Sequence, residues 1–453
     1  MQTVQSAQTV ALGRRTRAFS LDALALRLER VPVSPAFGMG RDTTILVWVW
    51  FVWGIGAGLW SYFWPVYLNR LGADSVAVGL VVGVGSLVAT LVYLPGGLVA
   101  QLGHTKWQMV TQHSLAAITT GSFGLAGIWW HVLPGVALAN FGAIFSPGTN
   151  SYIARAADAD RVPVPSIYTA LGTAQFATMT LSPPLGGLIA DRFGMAALFP
   201  LVFVCYAVGV CGMCLVRAHP VAPVDSGAPV GEQPVVAATR PSTEARGAAS
   251  TRRRAWTAGV GAYDSLLRLP KVRLLLVHSL VVYTGVHLAL SFAPLYLRER
   301  YAYDATHIGW AGSAASAGAA SLLLLIERLR RRRGAALAMW LSTGLIALHL
   351  LATVLSPFLP VQLASFYCRG GFQTAATLTT VVLAAAVPRA SLGPAVAVFA
   401  TVAGLAAIGA PPLGGALYAW SPAAPFIAGT ALLIASLPLA TLAFRTPRIA
   451  GSS

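Results

Sequence analysis

Pro183-Pro184-Leu185-Gly186-Gly187 occurs a second time, letter for letter, as Pro411-Pro412-Leu413-Gly414-Gly415. Each copy lies near the end of a long apolar segment. Proline there removes a backbone donor, and glycine lets another helix come close, a combination that lipid tolerates only where protein packs against it. Pro183, Pro184, Gly186, Gly187 and their counterparts Pro411, Pro412, Gly414, Gly415 therefore mark equivalent helices at a helix kink and at a contact between two equivalent halves. A second pair of matching segments supports the duplication. Phe63-Trp64-Pro65-Val66-Tyr67-Leu68 aligns with Phe292-Ala293-Pro294-Leu295-Tyr296-Leu297, at an interval within one residue of the first.

A chain of 453 residues, 56% hydrophobic and only 10% charged, cannot hide so much apolar surface in a soluble globule, which predicts an integral membrane protein. Its 45 glycines suit close helix packing. The net charge of +17 sits in short connecting segments and tails with no basic, aromatic-interleaved face, so nucleic acid is not an expected partner. Cys205, Cys211, Cys214 and Cys368 all fall inside apolar stretches and read as buried thiols.

A bilayer core about 30 Å thick needs about 20 residues of helix. That ruler gives twelve spans: 43–68, 76–100, 107–130, 132–153, 166–190, 195–216, 272–297, 306–326, 334–355, 360–386, 392–418 and 424–444. The expected organisation is a tail (1–42), a six-helix half (43–217), a linker (218–271), a second six-helix half (272–445) and a short tail (446–453). The linker is rich in Pro, Ala, Gly, Thr and Arg and lacks apolar periodicity. Within the flanks, Ser20–Arg30 and the lead-in at Tyr263, Leu266, Leu267 and Leu269 are expected to be amphipathic. No secretory signal is read at the N-terminus, and Met39 is an alternative start. With the N-terminus inside, only Arg70, Arg192, Arg298 and Arg300 of the 31 Lys and Arg fall outside, and Arg369 falls within a span. The bias predicts both termini cytoplasmic in the plasma membrane.

Six plus six helices in parallel duplication, with these motifs, resemble the major facilitator superfamily from about Thr43 to Arg445. The resemblance implies an all-α fold of two six-helix halves related by a pseudo-two-fold. It also implies transport of a small molecule held between the halves near spans one, four, seven and ten, with no cofactor. The family's loop after span two is worn here: Gly97, Gly103 and the distal base Lys106 persist, while Gln101 stands where an acid belongs. Glu327-Arg328 after span eight keeps an acid–base pair, and together these six residues form the expected cytoplasmic latch. A closer literal match, Gly187 to Gly194 with Asp191-Arg192, follows span five on the opposite face and reads as a decoy. Ser182-Pro183-Pro184-Leu185-Gly186-Gly187 also resembles the tail of the helix-five antiporter motif, with Ser182 and Thr178 replacing two glycines. It reads first as packing and second as an exporter signature.

Charges in mid-membrane are costly and default to function. Arg369 in span ten, with Gln373 one turn on, is expected to bind a polar or anionic substrate group, to gate, or to meet an internal acceptor, and Asn140 occupies the corresponding part of span four. Tyr283 and His287 share a face of span seven. His287 is a candidate proton carrier or a hydrogen-bonded structural group, and His278, His349 and His113 are weaker candidates. Trp53 and Trp60 share a face of aromatic span one and either stack on substrate or join the interfacial anchors. No Asp or Glu lies well inside a span, which weakens proton coupling. No metal-ligating or catalytic cluster is present, so no enzyme is expected. The expected protein is a monomeric transporter using alternating access, efflux favoured and proton coupling allowed. Uptake or uncoupled facilitation of a nutrient is the alternative, and a non-transporting receptor is a minor one.

Overall fold

Proline is welcome in the first turn of a helix and disruptive deeper inside, because its missing N–H is unneeded only at the start. This rule fits the breaks ahead of Pro65, Pro147 and Pro294, whereas Pro95, Pro183, Pro184, Pro411, Pro412 and Pro438 lie inside continuous helices, in the computed structural model, which describes residues 38–219, 266–388 and 392–444, without the side chains of Leu94, Gln101 and 392–394. The segment Ser20–Arg30, expected to be amphipathic, the lead-in residue Tyr263, most of the linker and the last residues lie outside the described residues.

The first rod is α1 (Arg41–Trp60) and α2 (Trp64–Arg70), broken ahead of Pro65. Next come α3 (Ser75–Gln101) and α4 (Thr105–Ser122). The fourth rod is α5 (Leu133–Phe141) and α6 (Ser146–Ala159), broken ahead of Pro147, and α7 (Val164–Phe193) and α8 (Leu198–Leu215) complete the half. The second half repeats the plan. Its first rod is α9 (Pro270–Ala289) and α10 (Ala293–Tyr301), broken ahead of Pro294, followed by α11 (Ala305–Arg333) and α12 (Ala335–Leu355). Then come α13 (Leu359–Cys368) and α14 (Gly371–Ala386), broken at Gly370, and finally α15 (Leu392–Trp420) and α16 (Ala424–Ala443).

Among the described residues, nine helical segments are long and apolar enough to cross a membrane. The rods that fall short are α4, α7 and the α13–α14 pair, each with Thr, Ser and Gln spread along its length. Their crossing, and with it the count of twelve, stays a proposal. Exposed Leu181, Leu185, Val204, Val208, Leu324, Leu325, Ile427 and Ile434 give the bundle an apolar exterior, as a lipid-facing wall requires.

The chain ends of the rods define two faces. The tail face carries residues 41, 101, 159 and 333, and the far face carries 70, 193, 301 and 420. Within the first half α1 packs along α7, and within the second α9 packs along α15. The halves meet along two seams, α7 against α11 and α3 against α15.

The repeated pentapeptide builds both kinds of contact. A Cβ on Gly186 would run into the Leu59 carbonyl of α1, and one on Gly414 into the Leu288 carbonyl of α9, so the first glycine serves packing within a half. A Cβ on Gly187 would meet Ala305 of α11, and one on Gly415 would meet Ser75 of α3, so the second glycine serves the seam. The prolines take part as well. Gly309 abuts the Pro183 carbonyl and Gly79 the Pro411 carbonyl. Thr178 and Ser182, which fill glycine positions of the resembled motif, lie against Gly54 and Gly58 of α1, so the space the motif would supply from α7 comes from the facing helix.

Candidate functional site

The four broken rods are interrupted at one level. Their far-face pieces, α2, α5, α10 and α13, are 7, 9, 9 and 10 residues long, which at 1.5 Å per residue sets every break about 10–15 Å below the far face. Irregular backbone at membrane depth is tolerated where protein buries it or a cavity lines it. The expected site residues cluster around this level, in two groups.

The first group lies inside the first half. Trp53, Trp60 and Asn140 line one cavity of about 430 Å³ together with Trp64, Ser86, Thr120, Phe123 and Tyr206. Asn140 donates its side-chain amide to the Val136 carbonyl at 2.8 Å. Trp53 is not free to stack on a ligand by both faces, because Tyr206 already lies parallel to it at 3.7 Å. Trp60 Nε1 donates to the Tyr206 hydroxyl at 3.3 Å. Tyr206 therefore organises both tryptophans, a role that sequence spacing alone could not reveal. Toward the tail face a second cavity of about 370 Å³ is lined by Trp50, Gln112, His113, Ser146, Thr149, Asn150, Tyr168 and Gln175. Gln112 ties its polar wall together, donating to Ser146 at 2.9 Å and accepting from Thr149 at 2.6 Å.

The second group lies on α9 and at the α13–α14 break. Tyr283 and His287 stand with ring centroids 6.1 Å apart, and both meet the edge of Phe372, at 5.2 and 5.9 Å. No hydrogen bond to the His287 ring is present among the described residues. Arg369 reaches across to the other half, its guanidinium 5.3 Å from the centre of the Tyr62 ring. Gln373 is exposed on the face that Arg369 begins, and Thr377 and Thr380 follow at helical spacing. Tyr62 sits at the break of the first rod, and its hydroxyl shares a 3.1 Å hydrogen bond with Ser316 of α11. The remaining histidines are structural in their contacts. His349 Nδ1 pairs with the Ser365 hydroxyl at 2.9 Å, His113 Nδ1 with the Met109 carbonyl at 2.8 Å, and His278 packs against Phe444.

Among the described residues every hydrogen bond between the halves lies at or beyond the level of the breaks. Besides Tyr62–Ser316, Ser75 donates to the Gly415 carbonyl at 2.8 Å. On the other seam the Asp191 carboxylate accepts the backbone N–H groups of Ala305 and Thr306 at 2.9 and 2.8 Å and the Thr306 hydroxyl at 2.7 Å. These two N–H groups belong to the unpaired first turn of α11. Asp191 thus caps a helix of the opposite half, so the stretch set aside as a decoy carries the most polar contact of the seam. Its signal was the literal motif itself, discounted because it lies on the far face.

Among the described residues no hydrogen bond or ion pair joins Gly97, Gly103, Glu327 or Arg328 across the halves. Gly103 takes a left-handed φ of 77° at its turn and its carbonyl accepts from Gln108. Gly97 faces open space, Lys106 is buried with its ammonium 5.5 Å from the Trp107 ring, and the Gln101 side chain lies outside the described residues. The acid–base pair also differs from the expected Glu327-Arg328. Glu327 pairs with Arg330 at 2.6 Å and Arg331 at 2.8 Å, since neighbours three and four apart share a helix face and adjacent ones do not. Such partly exposed pairs contribute under about 1 kcal/mol. Glu327→Gln is therefore expected to leave the thermal unfolding midpoint in detergent within the scatter of the wild type.

The family model of the Major Facilitator Superfamily matches residues 46–375 and 275–452. The chain belongs to the Major Facilitator Superfamily. Membership makes it a membrane transporter rather than an enzyme. A curated relative, the multi-drug resistance efflux pump PmrA homolog of Lactococcus lactis subsp. lactis (strain IL1403), is 31% identical over 147 residues. That match covers 31% of this chain and 35% of the relative, so the chain aligns with about a third of that pump's length. Among solved structures, the nucleoside transporter NupG superposes with a TM-score of 0.69 at 14% identity, over 89% of this chain and 98% of that one. A bacterial homolog of the human lysosomal transporter Spinster, captured inward-facing and unoccupied, gives 0.63 at 15% identity, over 90% and 98%. A POT family transporter in complex with 5-aminolevulinic acid gives 0.65 at 12%, over 92% and 98%. At such identities these likenesses concern the fold alone.

Proposed function

We propose that this superfamily member moves a small organic molecule by alternating access, its halves rocking about the level at which four rods are broken. The alignment of those four breaks carries the reading. It gathers Arg369, Tyr62, Trp60, Asn140 and the Tyr283–His287 pair near one depth, on the rods that have to part and close. The distribution of Lys and Arg supports a cytoplasmic tail face, in what we take to be the plasma membrane. With the inter-half hydrogen bonds of the described residues toward the far face, this reading makes the conformation the one open to the cytoplasm. Efflux is favoured, in keeping with the efflux pump that aligns with part of the chain and with the exporter-like motif at Pro183–Gly187. Residues 43–217 and 272–445 are the moving halves, and 218–271 is the cytoplasmic linker. The protein acts as a monomer, and His287 is the proton carrier if the cycle is coupled.

Reconstitution into proteoliposomes tests this reading. Counterflow or gradient-driven flux of at least one compound from a panel of organic acids, bases and neutral molecules is the expected result. A folded, reconstituted chain that moves none of them would sink the transport reading, as a receptor would behave. Flux that ignores an imposed pH gradient, or survives His287→Ala unchanged, would sink proton coupling.

A further inference from the structure

Arg369 is a cation held without an anion. Of the 14 acidic residues in the chain none falls in the interior of an apolar segment, and among the described residues no carboxylate forms an ion pair with Arg369 and no acceptor takes a hydrogen bond from it. Its contact is the Tyr62 ring, whose hydroxyl is already engaged by Ser316. Arginine cannot escape the cost of its position by losing a proton, and its five N–H donors form a fixed fork that suits a planar or tetrahedral oxyanion. A cation–π contact satisfies the charge in part and the donors hardly at all.

The side chain is also held in place from behind. A Cβ on Gly318 would run into the Tyr367 carbonyl, and one on Gly370 into the backbone of Gly318 and Ala319, so α11 and the α13–α14 break are in backbone contact. The Tyr367 and Ser321 hydroxyls share a 2.6 Å hydrogen bond beside it. Gln373 lies one turn along, and neighbouring Phe372 meets the rings of Tyr283 and His287. The fork is thus presented at the break level, half-buried, against Tyr62 of the other half, on the rod that also carries Phe372 and Gln373.

We propose that Arg369 docks the anionic group of the substrate, and that this transporter carries small organic acids with an aromatic or otherwise apolar body. The proposal rests on the transport reading and adds a substrate class to it. Organic cations are disfavoured at the same site, because no carboxylate among the described residues at this level offers them a counter-charge while Arg369 repels them.

Binding and flux separate the two readings. The detergent-solubilised full chain is titrated with 2-naphthoate and with 2-naphthamide, which share a ring system and differ in charge, and with phenyl phosphate, benzenesulfonate and naphthylmethylamine. Wild type is expected to prefer 2-naphthoate over 2-naphthamide by about tenfold or more, the scale of a charge-assisted bidentate pair, and to bind naphthylmethylamine most weakly. Arg369→Gln is expected to erase the preference while keeping the amide affinity, and Arg369→Lys to retain part of it. An acid preference that survives Arg369→Gln, a preference for the amide or amine, or no binding of any of these anions overturns the proposal. If Arg369→Gln fails to fold, Tyr62→Phe and Gln373→Ala in the folded wild-type background serve instead. Gln373→Ala is expected to weaken the acid several-fold and leave the amide unchanged, and an equal effect on both counts against the site. Flux of neutral compounds alone would remove the acid site and leave the transporter. Acid binding without flux of any compound would remove the transporter and leave the site.

Discussion

Gly187→Val is expected to force the sealed end of the bundle apart, and Gly415→Val to do so from the opposite seam. In each case the new side chain has no room, because the first atom beyond Cα would already lie inside the backbone of the facing helix, Ala305–Thr306 for one and Ser75–Val76 for the other. Backbone cannot rotate away as a side-chain tip can. Overpacking of this kind costs about 1–3 kcal/mol, which is about a 5- to 150-fold shift between the closed and parted far face. Spin labels at Leu125→Cys and Phe358→Cys, both exposed on the far face, report the distance between the halves once the native cysteines are replaced. The distribution should lengthen in both variants and stay unchanged in Gly344→Ala, where a Cβ meets nothing within 4 Å. An unshifted distribution in a folded Gly187→Val would mean that the seam does not constrain the far face.

Asp191→Ala is expected to loosen one seam without crowding it. The variant removes an acceptor of three hydrogen bonds and leaves two first-turn N–H groups of α11 to water. It also removes a negative charge from the positive end of a helix dipole. Hydrogen bonds to a charged group contribute about 1.5–3 kcal/mol when buried. Because Asp191 is exposed, a net loss of about 2 kcal/mol is the reasonable scale, equivalent to about 30-fold. The same spin-label pair should show a new long-distance population. Asp191→Asn, which keeps one acceptor oxygen, should fall between, and Thr306→Ala, which loses only the hydroxyl partner, should fall nearest wild type. The opposite order would remove Asp191 from any role in closure.

The repeat at Pro183–Gly187 and Pro411–Gly415 made the two-fold plan legible before any coordinates, because duplicated helices must reproduce the contacts that glycine and proline allow. The interrupted rods were legible in part. Pro65, Pro147 and Pro294 each open the helix that follows a break, and Pro65 and Pro294 already stood out as a matched pair. The fourth break depends on Gly370 and its approach to Gly318, a contact between residues far apart in the chain that no local pattern encodes. The same limit explains Tyr206 beneath Trp53 and Tyr62 beneath Arg369. A sequence displays which side chains carry charge or rings, whereas their partners depend on how helices turn about their axes. Arg369 stood out because a charge in an apolar run is visible by itself. Asp191 did not, because an acid at a helix end looks ordinary until the helix it caps is known.

The duplication that shaped both seams did not copy Asp191: the residue at its repeat position is Ala419. The α7–α11 seam is therefore closed by a carboxylate, and the α3–α15 seam by a serine hydroxyl and bare backbone. Among the described residues a carboxylate bridges the halves at the first seam, whereas at the second Asp74 caps its own helix and none bridges. In a gate built this way the charge that spans the opening lies along one edge, so protonation on the far side would loosen that hinge line directly, while the other edge is spanned by neutral groups and close fit.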